Sequence, residues 1–347
     1  MSGPRFSLIH DFRVGPGQLP TPASFDRVVE LIVEAERLGY FTAWTTEQHG
    51  VDDGYLPTHL PVLSALARET ETIRLGAGVI LLPLTQFRRV AEEAGVVDVI
   101  SGGRLTLGLG AGHHPHEFRA FGVELSDRAR LMDEGLAYLR EALRPGAIAP
   151  DGLPINIPPV QDPLPIVVGA AVKAGVDRAA RLADGHFSYA YVDAEESLAA
   201  QWRNRIEPAM AAHGRERGEF QLIFSTFVWA SPDFEREWQE HVGPAFLYQQ
   251  RKYSEWAGEQ APPAGVLAEA PRLAELRHSM LVGPPAEIAE RLAALRAVYP
   301  FDEIVIWPQL PGVPHELARR ALACFAEEVM PRLAEAPGGP VAGKEEG

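Results

Sequence analysis

The 347-residue chain is predicted to fold as an α/β protein, a closed (β/α)8 TIM barrel, and three observations predict it. Short apolar segments alternate with amphipathic helical segments eight times, a pattern that calls for a parallel sheet with helices packed on it. One of these segments, Ile73 to Leu82, is apolar almost without interruption, as a strand buried on both faces must be. The proline-rich stretch Pro145 to Pro165 interrupts the alternation without ending it, so one domain is expected over residues 1–335. An open doubly wound sheet competes, but eight units would make it unusually wide.

Phe6 to His10 is the first strand, and the loop after it leads to a helix that Ser24 can cap, with Phe25, Val28, Val29, Ile32 and Leu38 on one face and Gly39 at its end. Tyr40 to Thr46 is the second strand and delivers Glu47, Gln48 and His49 to its carboxyl end. A loop with Asp52, Asp53 and Gly54 precedes a helix around His59 to Arg68. The third strand follows, then a helix from about Phe87 to Ile100. A Ser-Gly-Gly turn at Ser101 opens the fourth strand, Leu105 to Leu109, which carries Gly108, Gly110 and Gly112 toward His113, His114 and His116. Its helix spans about Arg128 to Leu143.

The fifth strand is Ile166 to Val168, with a helix over Val176 to Leu182. The sixth is Gly185 to Ala190, with Leu198 to Ala212 behind it. The seventh runs from Phe220 to Trp229. Residues 233–280 read as an insertion with helical, aromatic-rich pieces such as FLYQQRKYSEW. Ile288 to Val298 is the helix after it, Glu303 to Trp307 the eighth strand, and Ala318 to Met330 the closing helix. Residues 336–347, rich in Pro, Gly and Ala with late charges, read as a disordered tail.

A formal charge of −15 argues against nucleic acid or an anionic membrane as the main partner and leaves small molecules or proteins. Cys324 is the single cysteine, which excludes an internal disulfide framework. No segment reaches membrane-spanning length and the amino terminus lacks the apolar region of a secretory signal, so a cytoplasmic location is expected.

In a barrel the active site gathers at the carboxyl ends of the strands. Those ends carry His10 and Asp11, then Glu47 to His49, Gly78 to Leu84, Gly110 to His116, Gly169 to Lys173, Tyr189 and Tyr191, Trp229, and Trp307 with Gln309. Aromatic and apolar groups outnumber paired carboxylates, which favours a broad conjugated ligand over sugar hydrolysis. The H-H-x-H and E-x-H patterns raise the question of a metal. Strands three, four and five end in Gly and Ala where a metal site would place carboxylates, so no catalytic metal is expected. The alternating glycines are G-x-G-x-G on a fourth strand, not the G-x-G-x-x-G that follows the first strand of a dinucleotide fold.

The segment SGGRLTLGLGAGHHPHEFRAFGVE, preceded by RRVAEEAGVVDVI, resembles the signature of the bacterial luciferase-like family of flavin- or F420-dependent oxidoreductases. FTAWTTEQHG, IRLGAGVILLP, PIVVGAAVKAGVDRAARLADG, VGPPAEIAERLAAL and FDEIVIW resemble further family segments in the same order. The resemblance implies a barrel, often a homodimer, with an insertion after strand seven. It further implies a monooxygenase that receives reduced FMN from a separate flavin reductase and oxidises a small organic substrate with O2. An F420-dependent hydride-transfer enzyme and a non-catalytic flavin-binding protein are the alternatives; Trp44 lies before the acidic residue, not after it, which matches the F420 enzymes poorly.

Carried onto this chain, the resemblance places a non-proline cis peptide at Gly78 and Val79 beside the isoalloxazine ring. Gly110 and Gly112 would leave room for the ring, His113 would face the pocket, and Gly169, Ala170 and Lys173 would approach the cofactor phosphate. His49 and Glu47 would place protons, and His10, Trp44, Tyr189 and Trp307 would line the substrate cavity. Three positions depart from the family pattern: Gln48 stands where the first histidine of E-H-H is usual, Ala111 replaces a basic residue, and Phe87 a proline. An amide does not exchange protons near neutral pH, so any acid–base work at this strand end falls to His49.

Overall fold

The strands pair in parallel throughout and close on themselves. In the computed structural model, described for residues 3–189, 195–257 and 276–335, they are β1 (Arg5–His10), β2 (Thr42–Thr45), β3 (Arg74–Leu81), β4 (Leu105–Gly110), β5 (Ile166–Gly169), β6 (Gly185–Tyr189), β7 (Gln221–Thr226), β8 (Val228–Ala230), β9 (Leu281–Gly283) and β10 (Glu303–Ile306). The closed barrel has the order β1-β10-β7-β6-β5-β4-β3-β2. Helices α1 (Pro22–Arg37), α2 (Leu60–Glu69), α3 (Phe87–Ser101), α4 (Pro115–Ala120), α5 (Arg128–Ala142) and α6 (Lys173–Leu182) cover the chain as far as Leu182.

Side chains alternate between two cores, as the period of two in a strand requires. Leu8, Ala43, Leu75, Leu107, Val168 and Ile304 join the apolar helix faces in the main core between barrel and helices. Their neighbours Ile9, Trp44, Val167, Phe187, Ile223 and Val305 form the second core inside the barrel. Trp44 is a large plug there. Its indole N–H donates to Glu303 Oε1 at 2.8 Å, an oxygen that also accepts from the Ser7 hydroxyl at 2.7 Å. Gly76 on the adjacent strand makes room for it: a β-carbon at 76 would lie 2.2 Å from Trp44 Cε3.

Local chemistry moves several boundaries. Thr21, not Ser24, caps α1; Ser24 sits three residues on and returns the hydrogen bond to the Thr21 backbone, the reciprocal capping arrangement. α4 is a short helix that the sequence reading passed over, opening with Pro115 at its first position. The seventh strand is shorter than its apolar run. It leaves the barrel ladder after Thr226, and Val228–Ala230 instead pairs in parallel with Leu281–Gly283 in a separate two-stranded sheet. That small sheet brackets the insertion, whose described part holds the helix Gly243–Ala257. Residues 258–275, Tyr191 and the expected tail at 336–347 lie outside the described residues.

The excursion before β5 packs on α3. Buried Asp98 accepts hydrogen bonds from the backbone N–H groups of Val160 and Gln161 at 2.9 and 3.0 Å, and from the Gln161 carboxamide at 2.6 Å. Among the described residues, no helix is long and apolar enough to cross a membrane.

Candidate active site

The peptide between Gly78 and Val79 is cis, and the β3–β4 register shifts between Ala77 and Ile80. This irregularity aims Val79 across the neighbouring strands. A β-carbon at Gly108 would meet the Ala77 carbonyl oxygen at 2.2 Å, one at Gly110 would meet Val79 Cγ2 at 2.4 Å, and one at Gly169 would meet Val79 Cγ1 at 3.0 Å. Gly112 has a positive φ of +66°, and a β-carbon there would lie 3.1 Å from the Phe118 ring. At Gly110 and Gly112 the space a β-carbon would need is taken by Val79 and Phe118. What stays open is the surface formed on top. Gly78, Val79, Ala111, Gly112, Gly169 and Ala170 are each partly exposed, at the ends of β3, β4 and β5, and together make a floor nearly free of side chains.

One edge of the floor is the N-terminus of α6. Val172 precedes the helix, two-thirds exposed and without a side-chain cap, and Lys173 is its exposed first residue. First-turn N–H groups without a cap, next to an ammonium, suit an anion such as a phosphate.

On the opposite side, the end of β2 places a set of titratable groups. The Glu47 carboxylate accepts from His49 Nε2 at 3.1 Å and from the Leu81 backbone N–H at 3.2 Å through Oε1. Its Oε2 lies 3.2 Å from His59 Nε2. Burial disfavours the His49 imidazolium, but the Glu47 carboxylate, with Glu117 beyond it, outweighs burial and raises the His49 pKa. His59 is fully buried, with Nδ1 2.7 Å from the Thr45 hydroxyl, and burial keeps its pKa below the ordinary value despite Glu47. The sequence reading used His59 only to mark a helix start. Its signal was a polar residue opening an otherwise apolar helix.

α4 meets this set from the other side. Glu117 Oε1 accepts from the Gln48 carboxamide and from the His49 backbone N–H, both at 2.9 Å. His116 Nε2 lies 3.1 Å from the His49 carbonyl oxygen, and the Phe121 ring crosses the His49 ring at 4.7 Å. Of the three clustered histidines, His113 is the exposed one. Its ring lies 3.8 Å from that of buried His114, whose Nδ1 is 3.1 Å from the Trp256 carbonyl oxygen.

The expected cavity wall divides. Tyr189 and Trp307 do converge, each packing its ring on Phe227, at 5.9 and 5.3 Å. Trp44 and His10 do not join them. Trp44 is barrel core beneath Gly78, as its bond to Glu303 shows. His10 follows Ile9, an inner-core residue, so strand alternation turns it outward. There its Nδ1 accepts the Phe12 N–H at 2.8 Å.

Sequence reasoning also missed Arg13. It is buried, bonded to Asp11 Oδ2 at 2.7 Å and Asp53 Oδ2 at 3.0 Å, and its guanidinium faces the rings of Tyr55, Tyr253 and Trp256 at 4.7, 5.8 and 5.7 Å. It ties the first loop to the insertion helix. Among the described residues, no three His, Cys, Asp or Glu side chains gather in a way that could hold a metal ion.

Comparison with known proteins agrees with this fold. A family profile described as luciferase-like monooxygenase matches residues 4–300. The chain is 27% identical to the 4-hydroxyprotoasukamycin monooxygenase of Streptomyces nodosus subsp. asukaensis, over 95% of this chain and 91% of that one. It superposes with a TM-score of 0.74 at 19% identity on the oxygenating constituent of 3,6-diketocamphane monooxygenase from Pseudomonas putida, in complex with FMN, covering 95% of this chain and 98% of that one. An F420-dependent secondary alcohol dehydrogenase superposes with a TM-score of 0.75 at 12% identity, covering 95% and 99%. At such identities the two solved structures show the shared fold alone.

Proposed function

The chain belongs to the luciferase-like monooxygenase family of oxidoreductases, and from that membership we propose that it is a flavin-dependent monooxygenase oxidising a small organic substrate with reduced FMN and O2. The observation that carries this reading is the floor at Gly78 and Val79 with the uncapped N-terminus of α6 at its edge. A flat ring fits the first and a phosphate the second, so the residues present suit FMN. Bound reduced FMN would supply the electrons that activate O2.

The chain's own groups supply position, shelter and protons. Gly169, Ala170 and the first turn of α6 hold the phosphate, with Lys173 adding a charge-assisted bond. Tyr189, Phe227 and Trp307 present an apolar wall that keeps water from the reacting atoms. His49, hydrogen bonded to Glu47, holds a proton at Nε2 beside the floor. Gln48 orients and does not titrate.

Like its relatives in the resemblance, the protein would draw FMN from a separate reductase and work as a homodimer. Exposed Val96, Val99 and Ile100 on α3, with exposed Ile157 and Val160 of the excursion near Gly95 and Gly103 at the same helix, supply an apolar face for a second copy.

The test is anaerobic titration of the protein with reduced FMN and with reduced F420, followed by oxygen. Tighter binding of FMN, with oxygen consumed in proportion to an added organic substrate, is the expected result. Preference for F420 with hydride transfer, or flavin binding without any turnover, would replace this reading.

A further inference from the structure

The Glu117 carboxyl is almost fully buried, and its oxygens differ in use. Oε1 receives two hydrogen bonds from consecutive residues, the Gln48 side chain and the His49 backbone N–H, each at 2.9 Å, while buried Oε2 meets no donor among the described residues. Both donors lie on the segment that carries His49. Neither donor titrates, so any pH dependence of the clamp lies in Glu117 itself.

We propose that Glu117 is a positioning residue for His49: it fixes the 48–49 segment through one oxygen and, together with Glu47, sets the protonation of the His49 imidazole. The charged groups acting on that imidazole are Glu47 on its own segment and Glu117 on α4, with His59 across Glu47, His116 at the His49 carbonyl oxygen and the apolar Phe121 ring against its face. Glu117 is the second carboxylate in that circle, and the one from another element of the barrel. Burial raises its own pKa, while the His49 and His116 contacts lower it, so its charge and that of His49 favour one another. Gln48 is then intelligible. A carboxamide donates to Glu117 without adding a second cation to compete with His49.

The role of His49 in turnover rests on the flavin reading above, but the positioning does not, and the test separates them. The His49 ring is titrated by NMR in the full-length, cofactor-free protein, in the wild type and in Glu117→Gln. The amide keeps an oxygen for both donors and loses the charge, so the His49 midpoint moves down while the thermal midpoint holds. Glu117→Asp, which keeps the charge, restores at least part of the shift.

Gln48→Leu, which strips the carboxylate of a donor and lets it take a proton more readily, also moves the His49 midpoint down, and serves if Glu117→Gln does not fold. An unchanged midpoint in Glu117→Gln, or in Gln48→Leu where that variant stands in, overturns the proposal. If flavin turnover is then found, its pH profile shifts with the NMR midpoint; if none is found, the NMR result still stands.

Discussion

The side chain of Val79 fills the volume that Gly110 leaves: a β-carbon at 110 would stand 2.4 Å from Val79 Cγ2, far inside van der Waals contact. Val79 cannot retreat freely, because Gly169 on the next strand already lies against its other methyl, with 3.0 Å to a β-carbon there. Gly110→Ala therefore overpacks the barrel end and destabilises the protein by about 1–3 kcal/mol, seen as a lower denaturant midpoint. Val79→Ala in the same chain recovers part of that loss, so the two substitutions are non-additive in a double-mutant cycle. Additivity would mean that the contact does not carry the effect.

Those glycines show how much of the site was legible. The alternation of apolar strands and amphipathic helices was enough for the barrel, because each pattern answers a local requirement of burial. The glycine series also marked the strand ends where β3, β4 and β5 crowd together. Its reason was hidden, since it lies in Val79, some thirty residues earlier in sequence, and in a backbone irregularity between Ala77 and Ile80. Trp44 does face the barrel interior but lies within its core, bonded to Glu303, while His10 turns outward for a related cause. Whether a strand-end side chain faces the barrel interior depends on register, which a one-residue slip inverts. Glu117 and Arg13 went unnoticed because their partners, Gln48 and Asp53, come from other elements, and nothing local announces such pairs.

His49 makes the stability of the protein depend on pH in a definite direction. Its folded-state pKa is raised above the ordinary 6.5, so the protonated ring is favoured by folding. The stabilisation is fully present below the unfolded-state value and is lost as pH rises through the higher folded-state value. His49→Gln removes it. The difference in urea midpoint between wild type and His49→Gln is accordingly larger at pH 5.5 than at pH 8.5, and an equal difference at both would remove the Glu47–His49 pair as its source.

Lys173 tests the phosphate edge of the floor. Its ammonium is exposed, so its bond to a phosphate is weakened by solvent and salt, and about 0.5–1 kcal/mol is a reasonable expectation, two- to fivefold in affinity. Lys173→Ala should weaken FMN by that factor and leave riboflavin, which lacks the phosphate, unaffected. Lys173→Glu should weaken FMN further and remove most of the preference for FMN over riboflavin. Parallel losses for both flavins would place the phosphate elsewhere.

Arg13 joins the barrel to the insertion. Its guanidinium neutralises Asp11 and Asp53 and lies against Tyr253 and Trp256 of the insertion helix, while Tyr253 also meets the Tyr55 hydroxyl at 3.0 Å and Lys252 meets Asp52 at 3.2 Å. Removing the cation leaves two buried carboxylates facing each other, a loss of about 3–5 kcal/mol when one partner of a buried pair goes. Arg13→Met keeps most of the packing volume and discards the charge, so it should loosen the helix Gly243–Ala257 before it unfolds the barrel. Limited proteolysis reads this directly: the variant should be cleaved within that helix at protease levels that leave the wild-type chain whole. Replacing Asp11 and Asp53 with asparagine in the same variant removes the stranded charges and should restore much of the resistance. Cleavage unchanged by Arg13→Met would mean that the aromatic contacts and the Lys252–Asp52 pair hold the helix without the buried cation.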